Sequence, residues 1–437
     1  MTHEEKVARI VAAIKARPDR ATLSFRKATV SHKVPKREAR LPDRQEIDVS
    51  DLDEILDIDT RDMTCTAEPG VTFVDLVRKT LALGLVPCTV PELKTITIGG
   101  AVAGCSVESM SFKYGGFHDS CLEYEVITAG GEILGCRKGG ENSLVFEMAH
   151  GTFGTLGLIT KLRFRLLPAK PFVRLDYEKY SDYDAFAKAM RGKMEQGGAD
   201  FMDGIVISPK EFVLCLGTFV DRAPYAHNYD WMSVYHRSVA ERSQDYLRTF
   251  DYFFRYDADC HWIVRNYGLE NRILRFVFGR FFLSSTRVLS LAKVLTRVQN
   301  PPRPDVIVDL FVPDSNGGRF FDFYAKTFDY YPLWVVPYHI ANPYPWISSL
   351  HVPPDSETMF IDFAVYGFRQ RGTANYYRLL EEKLAELGGI KTLISHNFYE
   401  RDEFWKIWNE DNYGEVKRLV DPDNAFRDLY DKTHGRA

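Results

Sequence analysis

The chain has 437 residues, 45% of them apolar and 27% charged, with a formal net charge of -4. At roughly 150 residues per domain this length supports two or three packed domains. It excludes a disordered tail, a collagen-like repeat and a small disulfide scaffold, and 56 Lys and Arg against 60 Asp and Glu leave no global basic field for nucleic acid. Aromatic content is high at 14%, which means either an aromatic-rich core or an apolar site lined with rings.

Seven cysteines, with no CxxC pair and no histidine at ligand spacing, argue against a disulfide framework and against a metal site. The expected state is free thiols in a reducing cytoplasm. Residues 1–20 lack the apolar stretch of a signal peptide, and no run of ~18 apolar residues predicts a membrane-spanning helix.

In chain order, Thr2 and Glu5 form a capping box for a helix whose apolar stripe is Val7, Ile10, Val11 and Ile14. Residues 26–44 then hold seven basic groups, and residues 46–68 hold nine acidic groups against Arg61 alone. This is either a solvated edge or a phosphate-binding loop. Residues 63–69 read as a strand, followed by a helix from Thr72 to Gly84. Gly130-Gly131 predicts a two-residue hairpin turn between 125–129 and 132–134. Lys161–Leu166 alternates strictly, with Leu162, Phe164 and Leu166 on one face, as a half-buried strand does. Pro168 and Pro171 place a domain boundary at 169–172, a Pro-rich break falls at 301–304, and the chain from Tyr376 onward reads as helical.

The densest chemical signal is PELKTITIGGAVAGCSVESMSFKYGG at 91–116, joined by GTFGTLGLIT at 151–160. Glycines let backbone approach a flat or anionic ligand. No GxGxxG with a following acid marks a Rossmann site, and no P-loop lysine is present. These runs, with EPGVTFVDLV, YEVITAGGEI and LRFRLLPAK, resemble the FAD-binding domain of the vanillyl-alcohol-oxidase/PCMH class, and more narrowly its delta(24)-sterol reductase branch. VDLFVPDS, PLWVVPYHI, MFIDFAVYGFRQR and ERDEFWKIWNEDNYGEVKRLV extend the resemblance over nearly the whole chain. The expected relative is one without the membrane anchor of the animal and plant enzymes.

The resemblance implies an α+β fold: a two-subdomain PCMH-type FAD-binding domain at 1–170, an α+β substrate or cap domain at 171–375, and a helical segment at 376–437 packing back on the flavin domain. It implies FAD, held noncovalently since neither His32 nor His118 lies in an attachment motif, with NADPH as co-substrate. The diphosphate loop maps to Arg26, Lys27, Thr29, Val30 and Ser31. A second contact zone is Thr97, Ile98, Gly99, Gly100, Gly104, Ser106 and Ser109, and a third is the backbone of Gly157, Leu158 and Ile159.

The implied reaction adds hydride and a proton across a carbon–carbon double bond of a lipid, either a sterol side chain or a methylene-branched acyl chain. An isolated alkene accepts hydride poorly, so a placed acid is required. Glu108 is the first candidate; it alternatively pairs with Lys113 or bonds the flavin ribose. Tyr114 and His118 are rivals, and His339 is either catalytic or a satisfied core residue. Other classes remain open: an FAD oxidase or dehydrogenase of a hydroxy acid or alcohol, and a non-enzymatic lipid-binding protein. Residues 272–297, with six cations and no acid among phenylalanines and leucines, fit either peripheral contact with the inner membrane face or a buried helix pair.

Overall fold

In the computed structural model the alternating segment becomes part of an 11-residue strand, Leu158–Pro168, with Leu162, Phe164 and Leu166 buried. The structure describes residues 1–19, 21–29, 44–230, 232–259, 273, 275–276, 305–340, 343–370 and 372–435. Segment 272–297 therefore lies outside the described residues apart from Ile273, Arg275 and Phe276.

Strand Leu158–Pro168 organises the first sheet. It pairs antiparallel with Thr64–Ala67, Cys121–Ile127 and Leu85–Pro87, with Ile55–Asp59 and Ile133–Arg137 at the two edges. The helix Phe73–Leu81 is capped by Thr72, whose hydroxyl accepts from the Asp75 amide at 3.3 Å. The hairpin turn is longer than the sequence predicts, running through Thr128–Glu132. Thr128 Oγ1 accepts from the Glu132 amide, and the Ala129 amide leaves the ladder to donate to the Val420 carbonyl.

The capping box of helix His3–Lys15 forms as expected. Val7, Ile10 and Ile14 pack on Leu23, Ile47, Leu158 and Phe426. His3 bridges Glu68 and Glu125, and Lys6 reaches the buried Glu68 carboxylate at 2.9 Å. Beside this helix, Thr22–Arg26 and Arg44–Asp48 form a parallel two-stranded sheet.

The second sheet has eight antiparallel strands in the order Gln244–Arg248, Phe172–Tyr180, Glu211–Val220, Phe201–Ser208, Leu333–His339, Met359–Phe368, Val306–Pro313, Ile390–Lys391. Side chains alternate between its faces. Met202, Val206, Val308, Leu310, Val335 and Phe363 pack under helices Tyr183–Gln196, Gly317–Thr327 and Tyr376–Leu387. Phe201, Ile205, Trp334, Val336, Tyr338 and Phe360 pack the other way, in one core with the first sheet.

The C-terminal helices pack against the loop that precedes strand Leu158–Pro168. Lys417 Nζ donates to Asp421 Oδ2 at 2.6 Å, to the Phe426 carbonyl at 2.8 Å and to the Thr155 carbonyl at 3.0 Å. Among the described residues no helix is long and apolar enough to cross a membrane, and no acid, histidine and cysteine cluster suits a metal ion. Among the described residues, six cysteines are unpaired thiols.

Because Asp421 is buried, Lys417→Met leaves its carboxylate without a counter-charge. The variant should lose about 3–5 kcal/mol in denaturant unfolding; a loss under about 1 kcal/mol would show that this pair does not hold the C-terminal helices in place.

Candidate active site between the two sheets

A cleft of about 620 Å³, open mouth included, runs between the sheets. One wall is Gly104, Cys105, Gly151 and Phe153. The other carries Phe311, Tyr338, Ile340, Tyr344, Trp346 and Phe360, with Lys391, Thr392 and Trp408 at its end. Tyr344 and Trp346 stack with ring centroids 4.1 Å apart. Tyr338 Oη and Tyr344 Oη lie 2.5 Å apart, and Tyr344 donates to Asp119 Oδ2 at 2.7 Å.

The glycine wall admits a flat group. A Cβ on Gly104 would meet nothing closer than Phe153 and Ile394, at 3.8–3.9 Å. Gly151 has φ +67°, in the left-handed region, and a Cβ there would stand 3.3 Å from Cys105 Sγ. Thr29 Oγ1, in the expected diphosphate loop, is buried and has no hydrogen-bond partner. An open glycine wall facing stacked rings and an unsatisfied hydroxyl in the loop both fit a bound flavin nucleotide.

The other expected cofactor residues are placed as follows. Arg26 ends its strand paired with Asp48 at 2.6 Å, and Lys27 is exposed. Val30 and Ser31, with His32, lie outside the described residues. Thr97 caps helix Ile98–Gly104, its hydroxyl accepting from the Gly100 amide at 3.2 Å, and Ile98 is core. Gly99 is required because a Cβ would stand 2.5 Å from Pro69 Cβ. The Ser106 carbonyl accepts from the Phe117 amide, and Ser109 is held by Tyr252 and by the Met202 amide. Gly157, at φ +130°, has no room for a Cβ against Val126, while Leu158 and Ile159 pair with Ile127 and Val126.

The candidate acids separate. Glu108 is buried in a network centred on Arg255, whose guanidinium reaches Asp203 Oδ2 at 3.1 Å and Glu108 Oε1 at 3.4 Å. Arg255 is itself buried over the rings of Tyr252 and Tyr256. Trp334 Nε1 and Tyr256 Oη also donate to Asp203. Burial pushes Glu108 up to about 7, opposed by Arg255 and reinforced by Glu92. Glu92 rises to about 8, chiefly by burial and further by Asp309, against the pull of a backbone hydrogen bond. Asp362, on the same inward face, is raised by burial and by Asp309.

His118 lies behind the cleft wall, its ring 5.3 Å from both Tyr344 and Trp346, and neither ring nitrogen has a hydrogen-bond partner. Burial depresses it to about 4, so it is neutral at physiological pH. Tyr114 is 37% exposed and does not line the cleft. Nor does His339, the next residue along the strand from Tyr338. Tyr338, Tyr344, Asp119, Glu92 and Arg255 are site groups that the sequence reading did not single out. Only the period-two pattern of strand Leu333–His339, applied one residue earlier, marks Tyr338.

Comparison with known proteins bears on the cofactor. A family model described as an FAD binding domain matches residues 1–137. The chain is thus a flavoprotein oxidoreductase with a PCMH-type FAD-binding domain. It is delta(24)-sterol reductase-like along most of its length. The mouse Delta(24)-sterol reductase is 25% identical over 87% of this chain and 76% of its own. The Arabidopsis thaliana enzyme is 23% identical over 99% and 84%. Arabidopsis cytokinin dehydrogenase 5 is 30% identical, over only 32% of this chain and 26% of its own.

Two outcomes follow. Leucine at Gly104 has room to fold but fills the cleft, so Gly104→Leu should keep its unfolding midpoint and bind FAD at least about tenfold more weakly by flavin fluorescence titration, a cost of about 1.4 kcal/mol. For Glu92 and Glu108 the folded protein holds a proton that the unfolded chain releases near pH 4.5. Their contribution to stability is complete below that value and is lost as pH rises through about 7 to 8. Denaturation midpoints should therefore decline from pH 5 to 8, and Glu92→Gln should flatten the decline; an unchanged slope would contradict the assignment.

Proposed function

We propose that the protein is an FAD-dependent reductase of a carbon–carbon double bond in a lipid, with NADPH as the hydride source. The observation that carries this reading is the cleft itself, an apolar gap with glycines on the flavin-domain wall and aromatic rings on the opposite wall. When bound, FAD accepts hydride from the nicotinamide and passes hydride to the alkene. Gly104, Cys105, Gly151 and Phe153 hold the flavin ring, and Thr29 lies with the diphosphate. Phe311, Ile340 and Phe360 bind the lipid and keep water from it.

The similarity to sterol reductases runs through the eight-stranded sheet as well as the flavin domain, which favours a sterol side chain; a methylene-branched acyl chain suits the same apolar walls. A hydroxy-acid oxidase needs a cation for the substrate carboxylate. The cation on the cleft wall, Lys391, is engaged by Glu381 at 2.6 Å and by the His396 carbonyl at 2.5 Å. The similarity to cytokinin dehydrogenase, in turn, covers a third of the chain.

Anaerobic mixing tests the reading. NADPH should bleach the bound flavin, and a Δ24-unsaturated sterol or a methylene-branched fatty acyl ester should restore its colour. Bleaching only by a hydroxy acid or an alcohol would overturn it.

A further inference from the structure

We propose that Tyr338 donates the proton that completes alkene reduction, with Tyr344 and Asp119 behind it as a relay. This rests on the reductase reading above and assigns a catalytic residue to it. The donor must face the cleft, keep its proton at neutral pH in dry surroundings, and have a route by which that proton is replaced.

Five cleft residues carry a side-chain O–H, N–H or S–H group acidic or basic enough to weigh: Cys105, Tyr338, Tyr344, Lys391 and Thr392. Thr392 Oγ1 donates to Asp309 at 3.1 Å, and the Lys391 ammonium is turned to Glu381 and the His396 carbonyl. Cys105 belongs to the glycine wall, where the flavin ring lies, and burial raises its thiol well above the ordinary range. The two phenols remain. They sit on the substrate wall, bonded to each other at 2.5 Å, and Tyr344 is directed to Asp119 Oδ2.

With the Tyr344 proton on Asp119, the hydrogen between the phenols belongs to Tyr338. Asp119 is fixed by the Gly116 amide at 2.8 Å, and its side chain is 16% exposed, so the chain of hydroxyls ends where solvent can reach. Burial raises both phenols well above the usual tyrosine range, which keeps them protonated. His118 Nε2 stands 3.4 Å from Asp119 Oδ2 without making a hydrogen bond, and burial keeps the ring neutral.

The step balances as follows. Hydride forms one new C–H bond, and the π electron pair takes the Tyr338 proton at the other carbon, breaking its O–H bond. The Tyr338 phenolate recovers a proton from Tyr344, and Tyr344 is reprotonated from solvent at Asp119. One NADPH and one proton are consumed for each alkene.

The test uses the FAD-loaded protein, with a Δ24-unsaturated sterol as probe. Tyr338→Phe should bind FAD and be reduced by NADPH like wild type, yet be reoxidised by the sterol at least about 100-fold more slowly. Tyr344→Phe and Asp119→Asn should slow the same half-reaction less. A second readout is independent of turnover: with 3-fluorotyrosine placed at position 338, the ¹⁹F resonance should shift when Tyr344→Phe or Asp119→Asn is added. Equal reoxidation rates in wild type and Tyr338→Phe would overturn the proton donor and leave the reductase standing. A wild-type flavin that no alkene reoxidises would instead remove the reductase reading, and an unmoved ¹⁹F resonance would remove the relay.

Discussion

The central strands of the eight-stranded sheet have no wet face, and the site depends on that. Strand Met359–Phe368 is buried along its whole interior, with three helices on one side and the flavin-domain core on the other. Since side chains alternate, every second residue of each central strand enters the gap between the sheets. Polar residues at those positions lose water and must find partners or hold protons. Asp203, Asp309 and Asp362 are such residues, and Tyr338 and Trp334 share their face.

The flavin domain answers this face with backbone and small residues. Gly104 and Gly151 leave room against the rings, while Glu92 and Glu108 come from the segment just before and after the glycine-rich helix. The result is one interface with two characters. At the cleft it is apolar, with a short chain of phenols, and at the Arg255 cluster it is polar and closed. Low polarity strengthens both, because an unscreened hydrogen bond or ion pair is worth more than a hydrated one.

Much of the fold was legible because it is local. The Thr2–Glu5 capping box, the Thr72 cap and the Leu162, Phe164, Leu166 alternation each encode their element within a few residues. The glycine-rich stretch announced the flavin domain but not its shape: Thr97–Gly100 is a capped helix start, fixed by the fit of Gly99 against Pro69. The hairpin turn missed its length because Ala129 bonds Val420, far along the chain. The Arg255 network was equally hidden, since its partners Glu108 and Asp203 meet it only after folding. His339 lies on the strand of Tyr338 at the opposite parity, outside the cleft lining. The aromatic surplus divides as well: Tyr338, Tyr344, Trp346 and Phe360 line the cleft, whereas Phe186, Phe212, Phe321 and Phe363 fill the helix-covered face.

The central claim is that the flavin ring lies between the glycine wall and the phenols of Tyr338 and Tyr344. A crystal structure of the FAD complex tests it most directly. The ring should lie against Gly104 and Gly151, with Tyr338 and Tyr344 across the remaining space. A ring bound elsewhere, leaving that cleft empty, would contradict both the site and the chemistry assigned to it.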